Sequence, residues 1–243
     1  MADHADVRSP LPGLTRRHLG GLLVGGLAVA ACGSTPPRRQ LAQLRPDRVI
    51  ALPQPATTAG ILLTDALARR HSVREFEPAV PTAPQIGQLL WAAQGQTRGG
   101  AGRTAPSAGA LYPLDVYAVT PGELWHYLPE GHRAEQWDAP DTLAAELGDA
   151  ALGQAAVSAA PLLLVITGAT RRSSGKYGDR AARFVTLEAG HCAQNVLLQA
   201  VALGLGAVPI GSFSDEAVRR RLGLLDELTP YYLMPVGTER VGA

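Results

Sequence analysis

The chain has 243 residues, of which 46% are hydrophobic, and this suits one domain with a sizeable core plus a short N-terminal segment. Its formal net charge is +1, and the part that follows Cys32 has equal numbers of basic and acidic residues. This balance argues against general electrostatic attraction to nucleic acid. The second cysteine is Cys192, so lipidation of Cys32 would leave no pair for a disulfide.

Residues 1–31 have the features of an export signal. Arg16 and Arg17 form a twin-arginine pair, and the apolar run 19–31 is too short to span a bilayer but suits a signal peptide. The run leads into Val29-Ala-Ala-Cys32, which resembles a lipobox. We therefore predict a twin-arginine lipoprotein signal, with the mature protein anchored to the outer side of the cell membrane through Cys32. An ordinary Sec signal or an uncleaved anchor is the alternative.

Residues 32–58 precede the predicted domain. Their second half is rich in Pro, Gln and Arg, which indicates a tether, and we place the domain at residues 59–243. The domain is predicted to begin with an amphipathic helix over 59–70, followed by a second helix that is capped by Thr82 and runs through Gln94.

The remaining elements follow from apolar periodicity and turn residues. Strands are predicted at 114–120, 124–128, 162–167 and 231–236, with a short strand and turn at 207–213. Helices are predicted at 141–147, 179–203 and from Ser214 or Asp215 to Leu222, and polar loops at 95–102 and 171–178.

The stretch from Arg103 to Pro113 contains the first candidate site. Between Ala105 and Ala110 it has no side chain larger than proline or serine, so backbone groups can approach a flat ligand closely. Ser107 adds a hydroxyl that can donate or accept a hydrogen bond. The alternative interpretation is a surface loop built from turn residues.

Arg70, Ser72 and Arg74 form the second candidate site. Two guanidinium groups and a hydroxyl at alternating positions can converge on one phosphate. Taken alone, however, the segment also suits a solvated helix end, where cations are favoured by the helix dipole.

Lys176 is the one lysine of the chain, and it adjoins Tyr177. An ammonium group can lose its proton when it is desolvated, whereas a guanidinium group cannot. We therefore interpret Lys176 as a candidate acid or base. The alternative is chance, since a single lysine must stand somewhere.

Glu188, His191 and Asn195 share one face of the longest predicted helix. No second helix offers a matching His or Glu pair, so we expect no metal site. A satisfied internal polar network or a subunit contact is the favoured interpretation. We expect Cys192 to be a buried small hydrophobe.

These segments together resemble the nitroreductase superfamily, in particular its SagB-type or thiazoline-oxidase branch. The resemblance extends from Leu62 to Arg240 and depends on six motifs in the same order. They are Arg70-His-Ser-Val-Arg-Glu-Phe, Leu89-Leu-Trp-Ala-Ala-Gln-Gly, Arg103 with Pro106-Ser-Ala-Gly-Ala-Leu-Tyr-Pro, Lys176-Tyr-Gly-Asp-Arg, Glu188-Ala-Gly-His-Cys-Ala-Gln-Asn, and Leu205-Gly-Ala-Val-Pro-Ile-Gly-Ser-Phe.

The resemblance implies an α+β fold, in which a central, mainly antiparallel sheet is flanked by helices and FMN lies at a homodimer interface. By motif match, the residues expected to hold the FMN phosphate are Arg70, Ser72, Arg74 and Arg240. Those expected against the isoalloxazine ring are Pro106, Ser107, Ala108 and Gly109, with backbone groups of Gly211 and Ser212 near its edge. Lys176 and Tyr177 match a Lys-Tyr pair that acts in proton transfer.

The implied activity is that of an FMN-dependent oxidoreductase, with hydride transfer through flavin N5 in two steps and a small molecule or a peptide as substrate. Two alternatives from other classes stay open. One is a lipid-anchored protein that binds flavin or another ligand without catalysis. The other is a serine hydrolase that uses Ser107, because 105–109 is a degenerate nucleophile elbow.

Overall fold

The computed structural model describes residues 45–58, 60–240 and 242. Its strands are β1 (Arg48–Ala51), β2 (Gln96–Thr97), β3 (Gly102–Arg103), β4 (Leu114–Thr120), β5 (Glu123–Leu128), β6 (Arg133–Asp138), β7 (Leu162–Gly168), β8 (Gly206–Ala207) and β9 (Thr229–Gly237). Its helices are α1 (Leu63–Arg69), α2 (Ala83–Gln94), α3 (Leu143–Ala150), α4 (Ala155–Ser158), α5 (Arg171–Tyr177), α6 (Ala181–Ala202) and α7 (Asp215–Leu222).

Seven of the strands form one sheet in the order β1-β6-β5-β4-β7-β9-β8, and all the neighbouring pairs in it are antiparallel. β2 and β3 form a separate small hairpin. Helices pack on the sheet, so the α+β class with a mainly antiparallel sheet is confirmed.

β7 lies at the centre of the core because every one of its residues is buried. Side chains alternate along a strand, so the two faces of β7 enter different apolar clusters. Leu162, Leu164 and Ile166 pack with residues of α2 and α6 on one face. Leu163 and Val165 pack with residues of α3 and α7 on the other.

α2 and α6 form the helical layer beside the candidate site. α2 begins after Thr82 as predicted, where the side-chain oxygen of Gln85 accepts hydrogen bonds from the backbone N–H and the hydroxyl of Thr82. The predicted long helix is confirmed as α6, whose buried face is rich in alanine, for example Ala189 and Ala193. Small side chains let α6 pack close to the sheet.

Several predicted boundaries are wrong. The tether predicted over 32–58 ends too late, because β1 pairs with β6 from Arg48 to Ala51 and residues 45–58 therefore belong with the domain. Residues 171–177 form helix α5 rather than a loop. The predicted loop 95–102 contains β2 and the start of β3, and the sequence analysis missed β6 and α4.

The first helix is shorter than predicted, because α1 starts at Leu63 rather than Ala59. Ala66 is its one buried residue, whereas Leu62, Leu63 and Leu67 are 70%, 65% and 53% exposed. The apolar side of this helix is therefore uncovered in the single described chain.

The predicted signal peptide, the lipidation site Cys32 and residues 32–44 of the tether lie outside the described residues. Among the helices that are described, none combines the length and the apolar character that a membrane crossing requires.

Replacing Leu164, which is fully buried in β7, with alanine should lower the free energy of unfolding by about 2–5 kcal/mol, because a cavity would remain between β7 and α6. The matched change Leu152→Ala removes a side chain that is 76% exposed and should cost less than about 0.5 kcal/mol. Urea unfolding of both variants measures the difference. Equal losses would contradict the placement of β7 in the core.

Candidate functional site

Arg70, Ser72 and Arg74 lie on an extended segment that follows α1. The segment runs beside β8, where Ser72 forms a parallel bridge with Ala207 and the backbone N–H of Val73 donates to the Ala207 carbonyl at 3.2 Å. Val73 is buried, and its neighbours Ser72 and Arg74 are exposed. The segment therefore presents a hydroxyl and a guanidinium group on the surface while one apolar side chain anchors it.

Close backbone contact holds this segment in place. A Cβ atom added at Gly206 would stand 2.5 Å from Val73 Cγ2, so a side chain at residue 206 would push the segment away from β8. Glycine at this position is a steric requirement for the arrangement of the arginines.

Arg240 lies beside the same segment. Its backbone N–H donates to the Glu75 carbonyl at 3.0 Å, and Glu239 forms a bridge with Phe76. The Arg240 side chain is engaged locally, because Nη2 donates to the Phe76 carbonyl at 3.0 Å and Nε lies 3.8 Å from a carboxylate oxygen of Glu77. Arg240 thus lies beside the arginine segment, but its guanidinium group already contacts Phe76 and Glu77.

Gly211 and Ser212 follow the short β8 region along the edge of β9. Ile210 forms an antiparallel bridge with Leu233, and Gly211 comes next, close to the ring of Tyr232. The Ser212 carbonyl accepts a hydrogen bond from Gln154 Nε2 at 2.9 Å, so that carbonyl already has a partner. Ala207 and Gly211 are four residues apart and hence at most about 14 Å apart.

The small-residue stretch forms a tight turn that leads into β4. Gly109, Ala110 and Tyr112 all have positive φ angles, of 64°, 53° and 47°. Ser107 stabilises the turn, because its hydroxyl oxygen accepts the backbone N–H of Tyr112 at 2.9 Å. We call residues 106–109 the ring loop, after the role that the sequence analysis predicts for them.

Lys176 and Tyr177 are brought to the ring loop by helix α5. A Cβ atom added at Gly109 would lie 2.7 Å from Lys176 Nζ and 2.8 Å from the Tyr177 hydroxyl, so both polar groups rest on the backbone of Gly109. Tyr177 packs against Phe184 with a ring-centroid distance of 4.6 Å. Lys176 is exposed in the single chain, so the desolvation expected for it is not provided by its own subunit.

A buried polar layer lies behind the ring loop. Glu188 of α6 is only 2% exposed, and Gln94 at the end of α2 is 1% exposed. Arg103 donates to Gln94 Oε1 at 3.1 Å and stacks over the ring of Tyr112 at 4.6 Å. Ser107 is also close to the Glu188 carboxyl group. Gln94 was not among the residues predicted from the sequence, although its position in a motif beside Gly95 was a usable signal.

The charge of Glu188 is poorly compensated. Burial raises its pKa to about 7, although Ser107, Arg103 and Gln94 favour the charged form. In the described part of the structure, Glu188 Oε1 and Gln94 Nε2 are both buried without a hydrogen-bond partner. Glu188 thus differs from the other two residues predicted to share its face, because His191 is exposed and Asn195 is half-buried. The three residues therefore do not form one internal network in the single chain, and the subunit contact stays a prediction.

The serine hydrolase interpretation finds little support in this geometry. Ser107 is followed by a 3₁₀ turn rather than the α-helix that a nucleophile elbow requires, and its oxygen is bound to Tyr112. Within the described residues, no three or more His, Cys, Asp or Glu side chains are grouped to hold a metal ion.

The candidate groups lie near opposite ends of β9. The arginine segment adjoins β8, whose Gly206 pairs with Gly237 at the C-terminal end of β9. The ring loop leads into Leu114, which pairs with Gly168 and hence lies level with Thr229 at the N-terminal end of β9, on the other side of β7. Eight residue steps along a strand correspond to about 26 Å.

The antiparallel sheet with its helical layers, the arginine segment and the ring loop define an α+β protein with a two-part candidate site. The nitroreductase family model matches residues 67–238, which is well over half of the chain. The chain belongs to the nitroreductase family.

Individual relatives agree with this assignment. A protein of Methanocaldococcus jannaschii, named as a provisional nitroreductase, is 40% identical over 184 residues, which are 73% of this chain and 91% of the relative. A crystal structure of a provisional nitroreductase from Ralstonia eutropha is 33% identical with a TM-score of 0.72, and the match covers 81% of this chain and 94% of that one.

A more distant structure shares the fold. It is the NADPH:FMN oxidoreductase of Vibrio harveyi in complex with NAD+, which is 24% identical with a TM-score of 0.55. The match covers 73% of this chain and 68% of that one.

The raised pKa of Glu188 predicts a pH-dependent cost. The folded protein holds this proton more tightly than the unfolded chain, so stability falls as pH rises from the ordinary value of 4.5 to about 7. Glu188→Gln has no carboxyl group to titrate. Its free energy of unfolding relative to wild type should therefore rise by roughly 2–3 kcal/mol when the pH is raised from 5 to 8.

Urea unfolding at both pH values measures this gain. Glu130→Gln, which changes an exposed glutamate, is the matched control and should show no pH-dependent difference. If the two variants respond equally to pH, the carboxyl group of Glu188 is not in the environment described.

Proposed function

We propose that the chain is an FMN-dependent oxidoreductase. The observation that carries the proposal is the contact at Gly109, where the ends of Lys176 and Tyr177 lie close to the backbone of the ring loop in the space that a side chain would occupy. Family membership and the flavin-related name of the Vibrio harveyi protein support it.

The arginine segment fits the phosphate of FMN. Among the described residues, neither Arg70 nor Arg74 takes part in an ion pair, so their guanidinium groups can donate to a ligand. Ser72 lies between them on the same extended segment. Guanidinium forks match the geometry of phosphate oxygens, and we assign the phosphate to these three side chains, with Arg240 beside them.

The ring loop fits a flat ring system. Pro106, Ser107, Ala108 and Gly109 present little side-chain bulk, and the loop is stiffened by the Ser107–Tyr112 hydrogen bond. Gly211 and Ser212 offer backbone N–H groups near the edge of the ring. When bound, FMN supplies two-electron redox chemistry, and the protein positions it and excludes water.

We further propose that the complete site forms between two copies of the chain. In one copy the arginine segment pairs with Ala207, which is at most about 14 Å from Gly211, whereas the ring loop lies near the other end of β9. The exposed leucines of α1, which directly precede Arg70, support such a homodimer, because a second copy would cover them.

Lys176 and Tyr177 are proposed as the acid–base pair. If the substrate is a small molecule or a peptide with a carbon–heteroatom ring to be dehydrogenated, the neutral amine of Lys176 can accept the substrate proton at Nζ, with the Tyr177 hydroxyl alongside. Dehydrogenation of such a ring is the SagB-type reaction.

Two alternatives do not need an acid–base pair. Reduction of quinones or nitro compounds needs no dedicated base, and a non-catalytic flavin binder needs none either.

The cellular location is proposed from residues 1–32 alone. A twin-arginine signal exports folded proteins, which suits a protein that is loaded with its cofactor in the cytoplasm, and lipidation of Cys32 would then attach it to the outer side of the membrane.

The phosphate assignment predicts a selective loss of affinity. Arg74→Gln should weaken FMN binding to the apoprotein about 10- to 100-fold, because a charge-assisted hydrogen bond contributes about 1.5–3 kcal/mol. Riboflavin lacks the phosphate, so its affinity should change less than twofold. Quenching of flavin fluorescence measures both constants.

Arg69→Gln is the matched control. It removes the same charge from the last turn of α1, one residue before the proposed phosphate-binding segment, and should leave FMN binding within threefold of wild type. A protein that binds neither flavin would overturn the proposed function itself.

The acid–base assignment predicts a split between reactions. Lys176→Arg and Tyr177→Phe, each loaded with FMN, should lower dehydrogenation of thiazoline-type rings at least 100-fold, because positioned proton transfer contributes about 10²–10⁴. Reduction of a quinone such as menadione should change less than threefold. Unchanged turnover in both flavin-loaded variants would end the base hypothesis.

A further inference from the structure

Four charged side chains form a chain of contacts across three strands and helix α5. Glu135 Oε2 of β6 lies 2.9 Å from His126 Nδ1 of β5, and His126 Nε2 lies 3.5 Å from Asp115 Oδ1 of β4. The other oxygen of Asp115 accepts a hydrogen bond from Arg172 Nη2 at 2.7 Å. Charges of opposite sign thus alternate from β6 to α5.

The middle of this chain is shielded from water. The side chains of His126 and Asp115 are 20% and 15% exposed, and the imidazole stacks on the ring of Tyr117 at 4.7 Å. Contacts of this kind are screened less than ion pairs on the surface. The two central members are therefore shielded from water, whereas Glu135 and Arg172 at the ends are 31% and 36% exposed.

The last member of the chain is tied to the proposed catalytic helix. Arg172 lies one turn before Lys176, so the two residues share a face of α5. The Arg172 guanidinium group also approaches the carbonyl of Pro113 at 3.4 Å, and that carbonyl accepts the backbone N–H of Ala169 at 2.9 Å. The Arg172 side chain therefore connects α5 to Asp115 of β4 and to Pro113, which follows the turn of the ring loop.

We propose that Asp115, His126 and Arg172 are positioning residues, which hold α5 so that the Lys176 amine stays on the backbone of Gly109. The inference depends on the proposed acid–base role of Lys176 for its functional meaning. α5 has only seven residues and includes Gly175, so its own helical tendency is weak and outside contacts must fix it.

The charge state of His126 suits this role. Burial alone would lower its pKa, but the nearby carboxylate of Asp115 and the hydrogen bond with Glu135 outweigh burial and raise the pKa to about 9. The nearby imidazole of His126 and the hydrogen bond from Arg172 likewise hold the pKa of Asp115 below its ordinary value against the effect of burial. The ionisable groups around His126 are Asp115 and Tyr117 of β4, Glu135 of β6 and Arg172 of α5, with Arg103 of β3 on the same small cavity.

The sole lysine allows a direct test that does not depend on turnover. Sulfo-NHS-acetate modifies amines, and peptide mass spectrometry separates Lys176 from the N-terminal amine. We expect Arg172→Gln and Asp115→Asn to raise the labelling rate of Lys176 at least fivefold in the full-length protein, with and without added FMN, because the amine leaves the backbone of Gly109.

Arg171→Gln is the matched control. It removes the same charge from the neighbouring residue of α5, whose partner is the exposed Glu227, and should leave the labelling rate within twofold of wild type. Asp115→Glu, which keeps the carboxylate, should restore a rate within threefold. If Arg172→Gln and Arg171→Gln behave alike, the proposal is wrong.

A pH profile supplies a second readout, which also serves if the Arg172 variant does not fold. As His126 loses its proton near pH 9, the labelling rate of wild type should rise more steeply than ionisation of the amine alone explains. His126→Gln should lack this extra step. A wild-type profile between pH 8 and 10.5 that fits a single ionisation would overturn the inference, whatever the outcome of the turnover assays for Lys176→Arg.

Discussion

The candidate site depends on two glycines whose missing side chains let neighbouring groups approach the backbone closely. At Gly206 the space that a Cβ atom would take is filled by Val73, which anchors the arginine segment to β8. At Gly109 the same space is filled by the ends of Lys176 and Tyr177. Glycine therefore acts here through its missing side chain, and at Gly109 also through a positive φ angle.

The rigid core explains why these approaches can be held. β7 is buried along its whole length between β4 and β9, and its side chains are packed in apolar clusters on both faces, so a shift in its register would disrupt close packing on both sides. The turn that carries the ring loop leads directly into β4, and α5 begins shortly after β7. Gly109 precedes β4 and Lys176 follows β7, and these two strands are paired with each other. The fixed pairing of the strands thus brings the two residues together.

The sequence predicted the long, strongly patterned elements and missed those that depend on distant contacts. β7 is an unbroken apolar run, and α2 and α6 are long helices with many apolar residues, so their existence was inferred correctly. β1 has mostly exposed residues and α5 is polar with an internal glycine, so neither has a local signal. The ring loop and the Lys-Tyr pair were found from composition and motifs. The chain from Glu135 to Arg172 was not, because its members are far apart in sequence and meet only through strand pairing.

Oligomer formation and proton transfer are connected on the proposal made above. Lys176 is exposed in one copy of the chain, so no part of that copy removes the amine from water. A partner subunit or a bound ring covering the loop would supply the missing desolvation, and it would do so at the place where the amine already rests on Gly109. Because burial disfavours the charged form of lysine, assembly of the two-part site would activate the base at the same moment that it completes the binding surface.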